Sequence, residues 1–306
     1  MYIFIVNPTA GNGRGAKVFK QMKDSPIYTT LETLEFITTY EGHARKITQE
    51  IDVITNKEKI VAIVVIGGDG TINEVVNGLS HHHIPISFIP AGSGNDFYRG
   101  ANLPKKPTTI LKNIVQNNEV KPYWFGRAAL QEQNKSFVNC IGFGFDAYVV
   151  KRANRSALKK SLNKLGVGRF IYVFSFMREL LFFKPFKVTV KTDETTRTFE
   201  KCFLLTINNQ PYFGGGMKIN PLAENNPDYF SLLVVDSISK WKVFFLFITV
   251  FFGKHIHFKE VQIYRTRQIM IETATKTLYQ MDGEIGEASH CAIKKQPFPL
   301  TVKGSK

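Results

Sequence analysis

The stretch from Ile63 to Leu79 constrains this chain more than any other. Ile63-Val64-Val65-Ile66 is a β-branched run that reads as a buried strand, and Gly67-Gly68-Asp69-Gly70-Thr71 breaks it. Ile72, Val75, Val76 and Leu79 then recur at helical spacing, so Gly67 to Thr71 marks a strand-to-helix turn. Such a turn presents unpaired backbone N–H groups and the positive end of a helix dipole, which suits a phosphate. Asp69 in its middle would repel a bare phosphate, so it implies a metal ion or a hydroxyl proton to be handled there. Standing alone, the motif could equally be an ordinary glycine-rich turn with a surface acid.

It does not stand alone. Residues 2 to 6 are an apolar strand that ends in Asn7-Pro8-Thr9-Ala10-Gly11-Asn12-Gly13-Arg14-Gly15. A weakly patterned helix is expected from Ala16, a second strand over Leu34 to Thr39, and a helix from Gly42-His43-Ala44 to about Thr55, with His43 as a helix-start residue. After His81 to His83, read as a solvated loop, Ile86-Ser87-Phe88-Ile89-Pro90 is a fourth strand running into Ala91-Gly92-Ser93-Gly94-Asn95-Asp96-Phe97. Strand-end loops of an open parallel sheet converge on one crevice, and three small-residue loops in succession point to a nucleotide. The dinucleotide fingerprint and the Walker sequence with its lysine are both absent.

The second half differs. Of the net charge of +15, the first 125 residues carry 13 basic against 11 acidic side chains, and the remainder 27 against 14. That asymmetry asks for a polyanionic partner of the C-terminal half, nucleic acid or an anionic membrane surface. Short runs such as Phe186 to Val190, Phe203 to Ile207, Leu232 to Val235 and Gln268 to Ile271 make this half mostly β. Two helical stretches interrupt it. Lys151 to Met177 combines seven basic residues with the aromatic Phe170, Tyr172, Phe174 and Phe176, and Trp241 to Phe252 is short and strongly apolar. Their aromatic faces either pack on the sheet or sit on anionic lipid, and the two readings are compatible. RNA is disfavoured because the aromatics lie inside apolar runs. Cys140, Cys202 and Cys291 are widely spaced and read as reduced thiols of a cytoplasmic protein. The longest apolar run, Val243 to Phe252, falls short of the roughly 20 residues that span a bilayer.

In order and spacing, these motifs resemble those of the bacterial diacylglycerol kinase family of lipid kinases, which shares its glycine-rich turn more distantly with NAD kinases. The resemblance rests on Asn7-Pro8 with Gly11, on Gly67 to Thr71 followed by Asn73-Glu74-Val75-Val76-Asn77-Gly78, and on Pro90 to Phe97. Further on it includes Asn139 to Ala147, Phe213-Gly214-Gly215-Gly216-Met217 with Pro221 and Ala223, and Asp282-Gly283-Glu284. It implies an α/β plus all-β fold: a Rossmann-like nucleotide domain over residues 1–125 and a β-sandwich over 126–306 whose last segment returns to the first domain, with ATP and lipid meeting in the cleft between them. It also implies that Asn7, Pro8, Thr9, Ala10, Gly11, Thr38, Gly67, Gly68, Asp69, Gly70, Thr71, Ile72, Asn73 and Ser93 contact ATP. Asp69 and Asp96 would hold its Mg2+, and Asp282 or Glu284 would take the proton from the lipid hydroxyl.

Three departures from the family pattern stand out. Where the family has acids in a structural magnesium loop, this chain reads Asn226-Pro227-Asp228-Tyr229-Phe230-Ser231, and an earlier acid linked to that ion corresponds to Trp124. Either the structural ion is absent or Asp228 takes over in a shifted loop. Ser93 stands for the usual Thr and keeps the hydroxyl. The expected activity is phosphorylation of a lipid hydroxyl, on diacylglycerol or a related lipid such as phosphatidylglycerol, by a cytoplasmic protein peripheral to the membrane, with no nucleic-acid partner and with a homodimer left open. The rivals are an NAD kinase-like phosphotransferase and a non-catalytic lipid-binding protein with a degenerate kinase site.

Overall fold

Central strands rich in Val, Ile and Phe, buried along their length, set up the first unit. The computed structural model of the chain describes residues 1–54, 60–79, 84–130, 133–155 and 169–305. The histidine run at 81–83 and the lysines at 159, 160 and 164 lie outside them. The chain divides into Met1–Trp124 with Pro297–Lys306, and Phe125–Gln296.

In the first unit β1 (Tyr2–Val6), β2 (Thr33–Ile37), β3 (Ala62–Gly67) and β4 (Ile86–Pro90) are parallel, in the order β2-β1-β3-β4. Every residue of β3 and β4 is buried, which explains why both read as unbroken apolar runs. β15 (Leu300–Lys303) extends the sheet beside β4 and pairs antiparallel with β5 (Val120–Tyr123). The helices are α1 (Ala10–Lys23), α2 (Pro26–Thr29), α3 (His43–Ile54), α4 (Asp69–Gly78), α5 (Asp96–Gly100) and α6 (Pro107–Gln116). α3 and α4 approach closely at Gly78, where a Cβ would come within 2.6 Å of the Arg45 carbonyl oxygen. Glu74 on α4 accepts the N–H of Gly42 at 2.9 Å and of Ala44 at 3.1 Å, which satisfies the N-terminus of α3. His43 opens α3, stacked on Tyr40 with ring centroids 4.4 Å apart.

The second unit is β-rich. β6 (Gly126–Leu130), β7 (Gln133–Phe137), β8 (Cys140–Gly144), β9 (Phe186–Thr192), β10 (Thr196–Asn208), β11 (Phe230–Asp236), β12 (Val261–Thr266), β13 (Gln268–Met281) and β14 (Glu284–Lys295) form one sheet. β10 and β13 each change register midway, so that one end pairs with β9 and the other with β8. The sheet therefore folds over a core that includes Phe137, Phe143, Leu205 and Phe230. Among the described residues, α7 (Phe145–Arg155), α8 (Arg169–Phe182) and α9 (Lys240–Val250) are the α-helices of this unit. A second apolar cluster joins them to the sheet, with Phe145, Phe176 and Leu246 packed among Phe203 and Leu233. The helical stretch expected from Lys151 to Met177 is thus described as two helices, with residues 156–168 outside the described part. All three cysteines are free and buried, and burial pushes the Cys291 thiol up to about 12.

Asp146, in the first turn of α7, is buried under Gly142, and its Oδ2 accepts a hydrogen bond from Gln280 Nε2 at 3.2 Å. Burial pushes its carboxyl up to about 7, against the opposing effect of the Ala147 N–H and the Gln280 amide. The folded chain therefore holds a proton that the unfolded chain releases near the ordinary value of 3.8. Stability from this group is full below that value and is lost as pH rises towards 7, at about 1.4 kcal/mol for each pH unit crossed. Asp146→Asn is expected to melt higher than wild type at pH 8, with the gap closing towards pH 5. Parallel melting curves at the two pH values would refute this assignment.

Candidate active site

The C-terminal ends of β1, β3 and β4 lie side by side on one edge of the first sheet. β1 neighbours β2 on one side and β3 on the other, which is where an open sheet leaves a crevice. The turns that follow touch through backbone. A Cβ on Gly11, whose φ is +57°, would come within 2.1 Å of the Ala91 carbonyl oxygen, and one on Gly92 within 2.6 Å of Gly68 Cα. Asn7 joins two of the turns: its Nδ2 donates to Thr71 Oγ1 at 3.1 Å, while its Oδ1 accepts the N–H groups of Thr9 and Ala10 at 3.2 and 3.1 Å. Gly11, Asn12 and Gly13 are all left-handed, so the chain curls before the regular helix begins.

The sequence-identified nucleotide residues gather here. Thr38 follows β2 and donates its N–H to the Val6 carbonyl at 2.8 Å. Pro8 to Gly11 and Gly67 to Asn73 form the first two turns, and Ser93 is exposed on the third. That third turn is closed by Asn95, to which the sequence motifs assign no role: it is left-handed, with Oδ1 accepting the Gly92 N–H at 2.8 Å and Nδ2 donating to the Gly92 carbonyl at 2.7 Å. An Asn within a glycine-rich turn is the available signal for such a role.

The two acids behave differently. Asp69, the first residue of α4, reaches across to accept the Phe97 N–H at 2.9 Å and so satisfies the N-terminus of α5. Burial pushes its carboxyl up, although the N–H groups of Phe97, Asp96 and Asn95 and the Arg99 guanidinium act the other way. Asp96, with its side chain 7% exposed, instead pairs with Arg99 Nη1 at 3.0 Å, and the same nitrogen donates to the Gly94 and Asn95 carbonyls. Its carboxylate holds the turn.

In the second unit, Asp282-Gly283 is the two-residue turn joining β13 to β14. Both residues are left-handed, as a tight hairpin requires. The buried Asp282 carboxylate accepts the N–H groups of Val138 at 2.6 Å, Asn139 at 2.9 Å and Cys140 at 3.0 Å, and thereby fixes the start of β8. Glu284 differs. It is partly exposed, and Lys135 Nζ lies 3.2 Å from its Oε2. Lys135 sits 149 residues away in sequence, and no local motif announces it.

Comparison with known proteins agrees with this geometry. Residues 1–125 match the diacylglycerol kinase catalytic domain, and residues 139–303 match the YegS C-terminal NAD kinase beta sandwich-like domain. A Bacillus subtilis protein named "Putative lipid kinase YtlR" is 34% identical over 99% of both chains. The chain belongs to the bacterial diacylglycerol kinase-like family of lipid kinases. Another similar relative is a diacylglycerol kinase of Mycobacterium tuberculosis, 30% identical over 79% of this chain and 76% of its own. In fold, this chain is similar to a solved diacylglycerol kinase structure from Bacillus anthracis, with a TM-score of 0.68 at 22% identity, covering 98% of this chain and 95% of that one.

A lipid kinase of this family implies magnesium, a hard cation that is bound through one or two carboxylates and the nucleotide's own phosphates. Asp69, half-buried beside a helix N-terminus, has the donor chemistry for that role. Asp96 already pairs through Oδ1 with Arg99 at 3.0 Å. The structural ion does not fit: Asp228 is exposed and pairs with Arg267 at 3.2 Å. Among the described residues no group of three or more His, Cys, Asp or Glu could hold a metal.

Two outcomes are expected. Gly92→Ala should force the third turn away from Gly68 and weaken binding of a fluorescent ATP analogue at least about tenfold, since backbone must move. Asp282→Asn should lose about 2 kcal/mol in chemical denaturation, because hydrogen bonds to a charged acceptor are weakened in a buried place. Unchanged affinity in the first or unchanged stability in the second would contradict the packing described.

Proposed function

We propose that this protein is an ATP-dependent lipid kinase, transferring the γ-phosphate to the hydroxyl of diacylglycerol or a related lipid alcohol such as phosphatidylglycerol. The observation that carries this reading is the backbone-to-backbone contact of three glycine-rich turns at the ends of adjacent parallel strands, an arrangement that suits a ligand rich in acceptor oxygens. Asn7 to Gly11, Thr38, Gly67 to Asn73 and Ser93 would bind ATP. Magnesium, when bound through Asp69 and the phosphates, offsets the charge that spreads over the transferred group.

Phosphoryl transfer needs little beyond alignment, charge compensation and an acceptor for one proton. The lipid oxygen bonds to the γ-phosphorus as the bond to the β-phosphate oxygen breaks, and ADP leaves. We assign the hydroxyl proton to Glu284. Its carboxylate is partly exposed and oriented by Lys135, whereas Asp282 is committed to three backbone N–H groups. Asp282 is then a positioning residue for the hairpin. A peripheral protein acting from the cytoplasm on an anionic membrane surface fits a second unit with an excess of basic residues.

Incubating the protein with γ-labelled ATP, magnesium and mixed micelles of diacylglycerol or phosphatidylglycerol should label the lipid. Glu284→Gln should lower turnover by at least about 100-fold while melting like wild type, and Asp69→Asn should abolish magnesium-dependent ATP binding. Because burial raises the Asp69 carboxyl, that binding should weaken on acidification at a higher pH than an ordinary carboxylate would give. Label in NAD instead of lipid, or none in either, would reject the proposal.

A further inference from the structure

After Lys240 and Lys242 in its first turn, helix α9 is apolar on every side. It buries Val243, Leu246 and Val250, yet also exposes Trp241, Phe244, Phe245 and Ile248, and Phe251 and Phe252 follow it at the surface. A helix at a water-facing surface ordinarily carries charge opposite its buried stripe. Between Val243 and Gly253 the single polar side chain is Thr249, whose hydroxyl donates to the Leu246 carbonyl at 2.8 Å. The end of α8 continues the same surface with Met177, Leu181 and Phe182. The two helices meet where the Phe176 and Phe247 rings stack at 3.9 Å, and Lys240 Nζ donates to the Leu181 carbonyl. Trp241 is 82% exposed, Phe252 73% and Phe182 70%, so most of each residue faces water. A contiguous patch of this kind on a folded protein marks an interaction surface.

Charge and length say what covers it. Arg178 and Lys184 flank the end of α8, Lys240 and Lys242 the start of α9, and Lys254 and Lys259 follow its exit. The nearby acids are already matched, Glu179 by Arg152 at 2.8 Å and Glu260 by Lys242 at 2.6 Å. The excess charge around the patch is therefore positive. The 11 residues of α9 extend about 17 Å at roughly 1.5 Å per residue, little more than half a hydrocarbon core of about 30 Å. No helix among the described residues is long and apolar enough to cross a membrane. Aromatic residues beside lysines on a helix too short to span match the layer where acyl chains meet headgroups.

We propose that α9 and the end of α8 form a membrane-docking face, whose aromatic side chains enter an anionic bilayer surface while the surrounding lysines meet its headgroups. The proposal deepens the lipid-kinase reading by naming the face that meets the membrane, but docking itself needs no catalysis. The test is sedimentation of the full chain with phosphatidylcholine vesicles containing or lacking phosphatidylglycerol. Wild type should sediment with the phosphatidylglycerol vesicles, and its tryptophan emission should shift to the blue. Combining Trp241→Ser, Phe245→Ser and Phe252→Ser should weaken that binding at least about tenfold, and Leu181→Ser with Phe182→Ser should weaken it independently. Both variants should keep wild-type turnover on a water-soluble short-chain diacylglycerol, which also shows that they are folded. Vesicle binding equal to wild type in both would overturn the proposal. So would a wild-type dimer that the triple variant dissociates with vesicle binding unchanged, since a second copy would then be the occupant. Wild type that binds vesicles but phosphorylates no lipid would sink the kinase reading and leave docking intact.

Discussion

Gly68 and Gly92 meet without side chains, and the nucleotide end of the first unit depends on that contact. The pairing of β3 with β4 runs one step into the turns, where the Ala91 and Gly92 N–H groups both donate to the Gly67 carbonyl, at 2.7 and 3.0 Å. Only then is Asp69 close enough to reach the start of α5. A helix of five residues has almost no internal hydrogen bonding, so its N–H groups need an acceptor from elsewhere. One carboxylate thus locks two turns together at the edge of the sheet.

The same economy recurs in both units. Glu74 holds the N-terminus of α3, Asp282 holds the start of β8, and Asp193 accepts N–H groups from Arg267 and Gln268 together with the Thr266 hydroxyl. Burial alone would push the Asp193 carboxyl up, but these donors hold it below its usual range. Charged acceptors bond backbone N–H groups more strongly than neutral ones do, and each such bond fixes a segment far away in sequence. The acids that look chemical in a motif are therefore divided here between those that shape a loop and those for which a ligand role is proposed.

That division is what the sequence could not convey. β3, β4 and the turns after them were legible because periodicity and glycine spacing are local properties, and the change to short Val- and Phe-rich runs announced the β-rich second unit. The family motifs led to both Asp282 and Glu284 but could not separate them, since the difference lies in which one meets Val138 to Cys140 and which meets Lys135. Asp96 reads as a phosphate-side acid, and only the fold shows that Arg99, three residues on, pairs with its Oδ1. Helix α9 shows the opposite case. Its composition revealed that it was apolar, but only the fold separates the three residues that pack inward from the aromatics left facing out.

The loop from Asn226 to Ser231 shows how far a member can drift from its family at one place. Asp228 is held by Arg267, Arg265 lies over the Tyr229 ring at 4.9 Å, and Lys295 lies over the Phe230 ring at 4.5 Å with its Nζ 3.0 Å from Asn209 Oδ1. Burial pushes the Lys295 ammonium down to about 7, so even this cation is held at a cost in hydration. Three basic side chains around one loop repel a divalent ion, and Pro227 and Ser231 offer it no charged ligand. The loop is stabilised by cation–π contacts and an ion pair where the family pattern uses acids around a metal. The candidate magnesium ligand is then Asp69 in the first unit, and the second unit's loop offers the ion no charged ligand in its place.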